Sequence, residues 1–292
     1  MLGEGRSGAA TSLRTYRYVR LSLLAAVLLL AVGVTWCLAS IGPLRSISAA
    51  YYTPARSVFV GGLFAVSAAL IVLAGRTVRR SLLLLAGFTA PVIAIVPAPL
   101  PSGELELLTG AGCPGGAMRC LPPGTASEIA AGMLAYLVVA GAVLAASLGF
   151  AALERALDAR ALVRTGVGAV LLATLAVWST RPSFGELGHY AAAAVFFLLV
   201  AAVAGLHAAR LPSEGISGPG STRFYARSYA VLAGLIVLVE LALLLLLVTG
   251  SGPSLLGEQW LLLGEAAALA LFAVFWLLQT IENWDEPNAA LR

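Results

Sequence analysis

The sequence predicts an all-α, polytopic bundle of about eight transmembrane helices, with both termini in the cytoplasm. Three observations lead to this fold class: the composition, the division of the chain into apolar runs, and the placement of the arginines. Hydrophobic residues make up 60% of the 292 residues and charged residues only 11%, whereas about a quarter of a soluble domain is charged. So few charges cannot coat a globule in water, and lipid is the solvent that suits this chain.

Eight apolar runs follow a polar, basic segment at residues 1–20, and most of them approach the ~20 residues that cross a ~30 Å hydrocarbon core. The first run is too long for a signal peptide, and no small-residue cleavage site follows it, so we interpret it as a span. Pro91 and Pro97 predict a kink or an early end in the third span. Residues 282–292 form the predicted cytoplasmic C-terminal tail. The predicted spans are 21–41, 58–75, 81–100, 128–150, 165–180, 189–209, 229–249 and 260–281.

Arginine placement predicts the orientation of these spans. All 18 basic residues are Arg, and with the N-terminus inside, 14 of them fall in cytoplasmic segments. The outer segments then hold only Arg45, Arg56, Arg119 and Arg181, which is the asymmetry of the positive-inside rule. The richness in Ala, Gly, Leu and Val is typical of a GC-rich bacterial genome. We therefore expect a multi-pass protein of a bacterial cytoplasmic membrane.

Several chemistries are excluded or disfavoured by the residues that the chain lacks. Without lysine, no retinal or pyridoxal Schiff base and no P-loop lysine can exist. The motifs GxSxG, HExxH and CxxC are absent, and the two histidines lie on opposite predicted sides of the membrane, so we predict no metal centre and no cofactor. Because topology accounts for the arginines at the span ends, we predict membrane lipids as partners and no nucleic acid.

A group of polar residues is predicted at the outer boundary of the membrane. His189 opens the sixth span there, and Glu265 lies five residues after Trp260, or about 7.5 Å below the aromatic belt. Such a group predicts a ligand-binding pocket that opens outward. Belt aromatics, a snorkelling arginine and a solvated histidine at a span end are the alternatives for its individual members. The remaining members come from the first outer loop and are Ser46, Ser48, Tyr51, Tyr52 and Arg56.

Two acidic residues fall inside predicted spans. An acid at mid-depth costs about 2.5–3.5 kcal/mol on insertion scales, so we expect Glu265 to face the bundle interior with His189 or Arg56 as its partner. Glu240 lies about 16 Å along the helix from Tyr229, close to the midplane. It is predicted to be either protonated or paired across the bundle. Its role is then proton coupling or a structural interhelical hydrogen bond.

Three connecting segments carry further predictions. Cys113 and Cys120 lie in the outer loop 101–127, where an oxidising compartment favours a disulfide over two free thiols. Two cysteines without a nearby histidine do not make a zinc site. The cytoplasmic segment 151–164 is predicted to be a helical extension at the membrane interface, and 211–222 a flexible linker.

Three short motifs resemble those of an uncharacterised, mainly actinobacterial family of multi-span membrane proteins. They are SISAAYYTPARSVFVGGL at residues 46–63, the run HYAAAAVFF from His189, and the last span with Glu265. The chain departs from that family at Ala50, where a third tyrosine is usual, and at Gln279-Thr280, where Lys-Gly is often found. More distantly, it is similar to DRAM/Sfk-like families. The resemblance implies a role in lipid and membrane organisation, without an established reaction.

Three functions are compatible with these residues. The first is a non-enzymatic protein that binds a lipid or small molecule in the outward polar pocket, and the absence of a complete catalytic set favours it. The second is a proton-coupled transporter that uses Glu240 and Glu265. The third is an intramembrane lipid hydrolase with His189 and Glu265 as base and orienting group, and with Ser46, Ser48 or water as nucleophile.

Overall fold

A computed structural model describes residues 4–74, 77–110, 112–155, 158–216 and 218–284. This part of the chain is almost entirely helical, which confirms the predicted all-α bundle. A short antiparallel pair, β1 (Leu100–Pro101) and β2 (Arg119–Cys120), is the exception within these ranges. The α-helices described are α1 (Glu4–Ser40), α2 (Arg56–Leu73), α3 (Val78–Ile95), α4 (Ser102–Thr109), α5 (Thr125–Leu153), α6 (Ala159–Ser179), α7 (Pro182–Glu214), α8 (Thr222–Thr249), α9 (Gly252–Leu256) and α10 (Trp260–Glu282).

Seven of the described helices are long and apolar enough to cross a membrane: α1, α2, α5, α6, α7, α8 and α10. This confirms a multi-pass membrane protein. The apolar part of α3 is shorter and covers Ser81–Ile95, where the sequence predicts the third span over 81–100. Pro91 is accommodated inside this helix. The helix ends two residues before Pro97, because the residue that precedes a proline is disfavoured in the α region.

Three helix ends differ from the sequence-based boundaries. α1 begins at Glu4, within the predicted N-terminal tail. α7 continues to Glu214 with Pro212 inside it, so the prediction that 211–222 is entirely a flexible linker is wrong. The prediction of one continuous helix over 151–164 is also wrong, because α5 ends at Leu153 and Arg155 has a φ of 54°.

The chain divides into two compact units, the first formed by residues 1–94 and 191–292 and the second by 95–190. In the first unit, α1 packs against α2 and α10, and α10 packs against α8. Its interior contains a buried layer of aromatic rings, with Phe196 and Phe272 at 5.5 Å and Tyr229 and Phe275 at 5.8 Å between centroids.

Helices α8 and α10 approach each other most tightly beside Glu265. A Cβ atom added to Gly264 would lie 2.2 Å from Cδ2 of Leu243, so the approach depends on a residue without a side chain. Glu240 lies one turn before Leu243 on the same face of α8. The two intramembrane acids therefore both lie at this helix–helix contact.

The second unit holds α5 and α6, which pack against each other, together with α4 and the β1–β2 pair. Leu100 pairs with Cys120 and Pro101 with Arg119. Cys113 and Cys120 form a disulfide with Cα atoms 5.7 Å apart. The predicted outer loop thus contains a small cross-linked hairpin.

Candidate functional site

The Glu265 carboxylate is held by the turn that precedes α2. Its Oε2 accepts hydrogen bonds from the backbone N–H of Ile47 at 2.5 Å and of Ser48 at 3.2 Å. Its Oε1 accepts from the Ser48 hydroxyl at 2.9 Å. Hydrogen bonds to a carboxylate are shorter and stronger than neutral ones. Glu265 therefore attaches α10 to this turn through three donors.

The same turn is fastened to the start of α10 by Arg45. Its carbonyl oxygen accepts from the Leu262 N–H at 2.9 Å, which satisfies a donor that the first turn of a helix cannot pair internally. Its guanidinium forms an ion pair with Glu258 at 2.6 Å. Within the turn, the buried Ser46 hydroxyl accepts from the Ala49 N–H at 3.0 Å and lies 3.2 Å from the Ser48 hydroxyl. We call residues 45–52 with Glu265 the Glu265 site.

The aromatic and basic residues predicted for this pocket follow the same turn. Arg56 donates to the Tyr51 hydroxyl at 2.5 Å, and its guanidinium carbon lies 4.1 Å from the centroid of the Tyr51 ring. Tyr51 is buried and contacts Tyr52 edge-on at 5.3 Å. The first unit thus contains six of the seven predicted ligand-binding residues. Two donors to Glu265, the N–H groups of Ile47 and Ser48, are backbone amides, which a sequence pattern of side chains does not indicate.

His189, the seventh, belongs to the second unit. It is buried, and its Nδ1 lies 2.7 Å from the carbonyl oxygen of Val96. Because a carbonyl can only accept, Nδ1 carries the proton in this contact. The neighbouring Tyr190 hydroxyl donates to the Pro99 carbonyl and receives a bond from Arg119 at 3.0 Å. In its own unit, His189 connects α7 to the segment that follows α3.

Glu240 is buried on α8, one turn from the Leu243 side chain that packs against Gly264, the neighbour of Glu265. Two carboxyl groups that interact in a low-dielectric region disfavour the simultaneous ionisation of both. Of the two, Glu265 has the stronger hydrogen-bond support for a negative charge.

A second polar cluster, not predicted from the sequence, lies at the other end of α10. Glu282 is buried, and its Oε2 accepts from the Tyr229 hydroxyl at 2.6 Å and from Nε2 of His207 at 2.9 Å. Arg79 donates to Nδ1 of His207, and through its other amino group to Glu214 at 2.8 Å. We call these five residues the Glu282 cluster. They join α3, α7, α8 and α10.

The arginine determines the tautomer of His207. A guanidinium can only donate, so Nδ1 of His207 is an acceptor and carries no proton. Nε2 then carries the proton and donates it to the carboxylate of Glu282. Hydrogen bonds therefore run in one direction from Arg79 through a neutral imidazole to Glu282. This leaves the orientation of the ring fixed on both sides.

The N-terminal helix, α1, contacts the same end of α10 through two arginines. Arg20 donates to the carbonyl oxygen of Asn283 at 3.1 Å, and Arg17 donates to that of Trp284 at 2.6 Å. The Arg17 guanidinium also lies 4.7 Å from the centroid of the Trp284 ring. These contacts satisfy carbonyls that follow the last turn of α10. They also place a buried arginine, Arg20, beside the Glu282 cluster.

An open cavity of about 80 Å³ adjoins the cluster. Trp276 is buried in its wall, and its indole Nε1–H has no hydrogen-bond partner within the part of the chain that the structure describes. Buried N–H groups are nearly always paired, with protein or with an ordered water. Trp276 is one of the residues that line the cavity. Polar residues that line it include Arg20, Arg79, His207, Glu214, Glu282 and Gln279.

No protein-family model, curated protein or solved structure matches this chain. The residues described in the structure contain no group of three or more His, Cys, Asp or Glu side chains that could hold a metal ion. The geometry of the first unit therefore carries the functional argument. It provides two polar sites, one at each end of α10.

Sequence reasoning missed the Glu282 cluster because each member had another explanation. Arg79 fitted the positive-inside pattern, Glu214 fell in the predicted linker, and Glu282 fell in the predicted tail. One signal was present: His207, Tyr229 and Glu282 each lie within two residues of a predicted span end on the same side of the membrane. Polar residues clustered at one depth are expected to meet inside a bundle.

Proposed function

We propose that this multi-pass membrane protein binds a small polar molecule or a lipid headgroup in the cavity beside Trp276 and Glu282. The observation that carries the proposal is the buried Trp276 N–H, which lacks an acceptor on the wall of a polar cavity. The volume of about 80 Å³ accommodates several water molecules or the polar head of a larger ligand. The sequence-based prediction placed the ligand pocket around Glu265, whereas the proposed cavity lies at the opposite end of α10.

The chemistry of the surrounding groups supports binding. Arg79, His207, Glu282 and Tyr229 hold one another in fixed orientations, and residues locked in this way form a preorganised wall. In the Glu265 site, by contrast, the turn itself already supplies three donors to the carboxylate. A ligand would have to displace those donors to reach Glu265. The cavity offers a place that the protein has not filled with its own groups.

Tryptophan fluorescence and thermal unfolding of the purified protein test this function. We expect a member of a panel of phosphate, small carboxylates, ammonium ions and bilayer lipids to change the fluorescence of Trp276. At 100 times its Kd, a ligand adds about 2.7 kcal/mol to the stability of the protein. Trp276→Phe keeps an aromatic ring but removes the donor, so we expect it to weaken binding about fivefold to tenfold. The ligand-dependent shift in thermal unfolding measures this loss, because the variant lacks the fluorescent side chain.

The matched control is Trp36→Phe, which changes an exposed tryptophan on α1. We expect this variant to bind the same ligand with unchanged affinity. If no member of the panel alters fluorescence or stability, or if both variants lose affinity equally, the proposed function is contradicted.

A second function, proton-coupled transport, is favoured by the position of two acids, Glu240 and Glu265, beside the close contact of α8 with α10. Interacting acids inside a membrane protein are typical of proton pathways. In proteoliposomes with an imposed pH gradient and an entrapped pH-sensitive dye, we expect the wild type to dissipate the gradient several-fold faster than Glu240→Gln. Equal rates for the wild type, the variant and protein-free liposomes would exclude this function under those conditions.

A further inference from the structure

We infer that the ligand of this cavity carries an oxyanion, a phosphate or a carboxylate, which replaces Glu214 on Arg79. The inference rests on the proposed function and specifies the class of its ligand. Its basis is the contrast between the two contacts of the Arg79 guanidinium. One contact is buried and shared with His207, whereas the other is made with a carboxylate at the rim.

The ion pair between Arg79 and Glu214 is unequal in its exposure. The Arg79 side chain is 9% exposed and that of Glu214 is 35% exposed. A buried guanidinium requires an anionic or polar partner, because an isolated buried charge is costly. A partly exposed carboxylate, by contrast, loses little when it returns to water, because exposed ion pairs contribute little to stability. Glu214 is thus the partner that an incoming anion can replace.

The position of Glu214 in the chain permits this exchange. It is the last residue of α7, and Gly215 follows with a φ of 73°. The side chain can therefore turn away without breaking a hydrogen bond inside the helix. His207, two turns earlier on α7, keeps Arg79 in place through the exchange.

The other groups around the cavity select an acceptor as the ligand. The Trp276 N–H can only donate, and so can the guanidinium of Arg20. The Glu282 carboxylate already receives the Tyr229 hydroxyl and the His207 ring. An oxyanion that takes the place of Glu214 preserves the charge around Arg79, in a cavity that Trp276 also lines. A cation would find both carboxylates engaged and would face two guanidinium groups.

Two sources can supply this chemistry: a soluble phosphate or carboxylate compound, or the headgroup of an anionic lipid. The cavity lies at the end of the bundle that the arginine pattern predicts to be cytoplasmic, where both are present. Inorganic phosphate added to protein in detergent reports on the first source. Nanodiscs of phosphatidylglycerol, compared with nanodiscs of phosphatidylcholine, report on the second.

The deciding variant is Glu214→Gln, which removes the internal competitor but keeps its shape. We expect it to raise the affinity for phosphate, acetate or phosphatidylglycerol about fivefold to tenfold, measured by Trp276 fluorescence. Glu258→Gln is the matched control, because it makes the same change of charge and breaks the Arg45 ion pair at the other end of α10. The control is expected to leave affinity unchanged. Arg79→Lys retains the charge but loses the planar guanidinium with its paired N–H donors. We expect it to weaken binding about tenfold.

The outcomes separate this inference from the proposed function. Tighter binding of phosphate or acetate by Glu214→Gln supports the inference with a soluble ligand, and tighter binding of phosphatidylglycerol alone supports it with a lipid. If tetramethylammonium binds where anions do not, or if Glu214→Gln weakens anion binding, the inference is overturned while the proposed function stands. If no probe binds to the wild type or the variants, both are overturned.

Discussion

Replacing Glu282 with Ala is expected to lower the free energy of unfolding by about 3–5 kcal/mol. The substitution removes the acceptor of two buried donors, the Tyr229 hydroxyl and Nε2–H of His207. A hydrogen bond to a charged group contributes about 1.5–3 kcal/mol, and a donor left buried without a partner bears its full desolvation cost. Three helices, α7, α8 and α10, meet at this carboxylate, and His207 connects it to Arg79 of α3. The loss is therefore expected to affect the packing of the first unit.

Equilibrium unfolding in mixed micelles measures this effect. Glu282→Gln should lose less than Glu282→Ala, since an amide retains one acceptor oxygen. Glu258→Ala is the control because its carboxylate pairs with Arg45 while 56% exposed, and its loss should not exceed about 1 kcal/mol. Similar losses of unfolding free energy in Glu282→Ala and Glu258→Ala would contradict the expectation that the buried cluster stabilises the protein more than an exposed ion pair does.

The second large effect is expected at Glu265. Glu265→Ala leaves the backbone N–H groups of Ile47 and Ser48 without the carboxylate that they bind, and we expect a loss of about 2–3 kcal/mol. The loss is smaller than at Glu282 because this site is only partly buried, so water can replace some of the lost contacts. The turn at residues 45–52 should also separate from the start of α10.

Amide hydrogen exchange reports on this separation directly. The peptide covering 45–52 should exchange faster in Glu265→Ala, while peptides of α8 and the C-terminal half of α10 keep their wild-type protection. Glu265→Gln should fall between the wild type and Ala, because it retains one acceptor. Unchanged exchange across 45–52 in Glu265→Ala would contradict the role assigned to this carboxylate.

The two polar sites, one at each end of α10, differ in how much of each could be predicted from the sequence. Glu265 was recognisable because an acid inside an apolar run is costly and needs a partner. The alternation of the predicted spans placed Glu265, Ser46 and Ser48 at the same boundary of the membrane. The expected partners, His189 or Arg56, were chosen among side chains. The structure adds the backbone amides of Ile47 and Ser48 as donors to this carboxylate. Every residue has a backbone amide, so their use depends on the path of the turn.

The sequence by itself determined that this protein is a multi-pass helical membrane protein. The hydropathy of a span is the sum of contributions from residues that are neighbours in the chain, so each apolar run can be recognised without knowledge of the rest of the structure. Only the tertiary structure decided that Arg79, His207, Tyr229, Glu214 and Glu282 form one cluster beside a cavity. These residues come from four helices that lie far apart in the chain. Hydrogen-bond geometry depends on distances of a few tenths of an ångström between such helices, which no local pattern encodes.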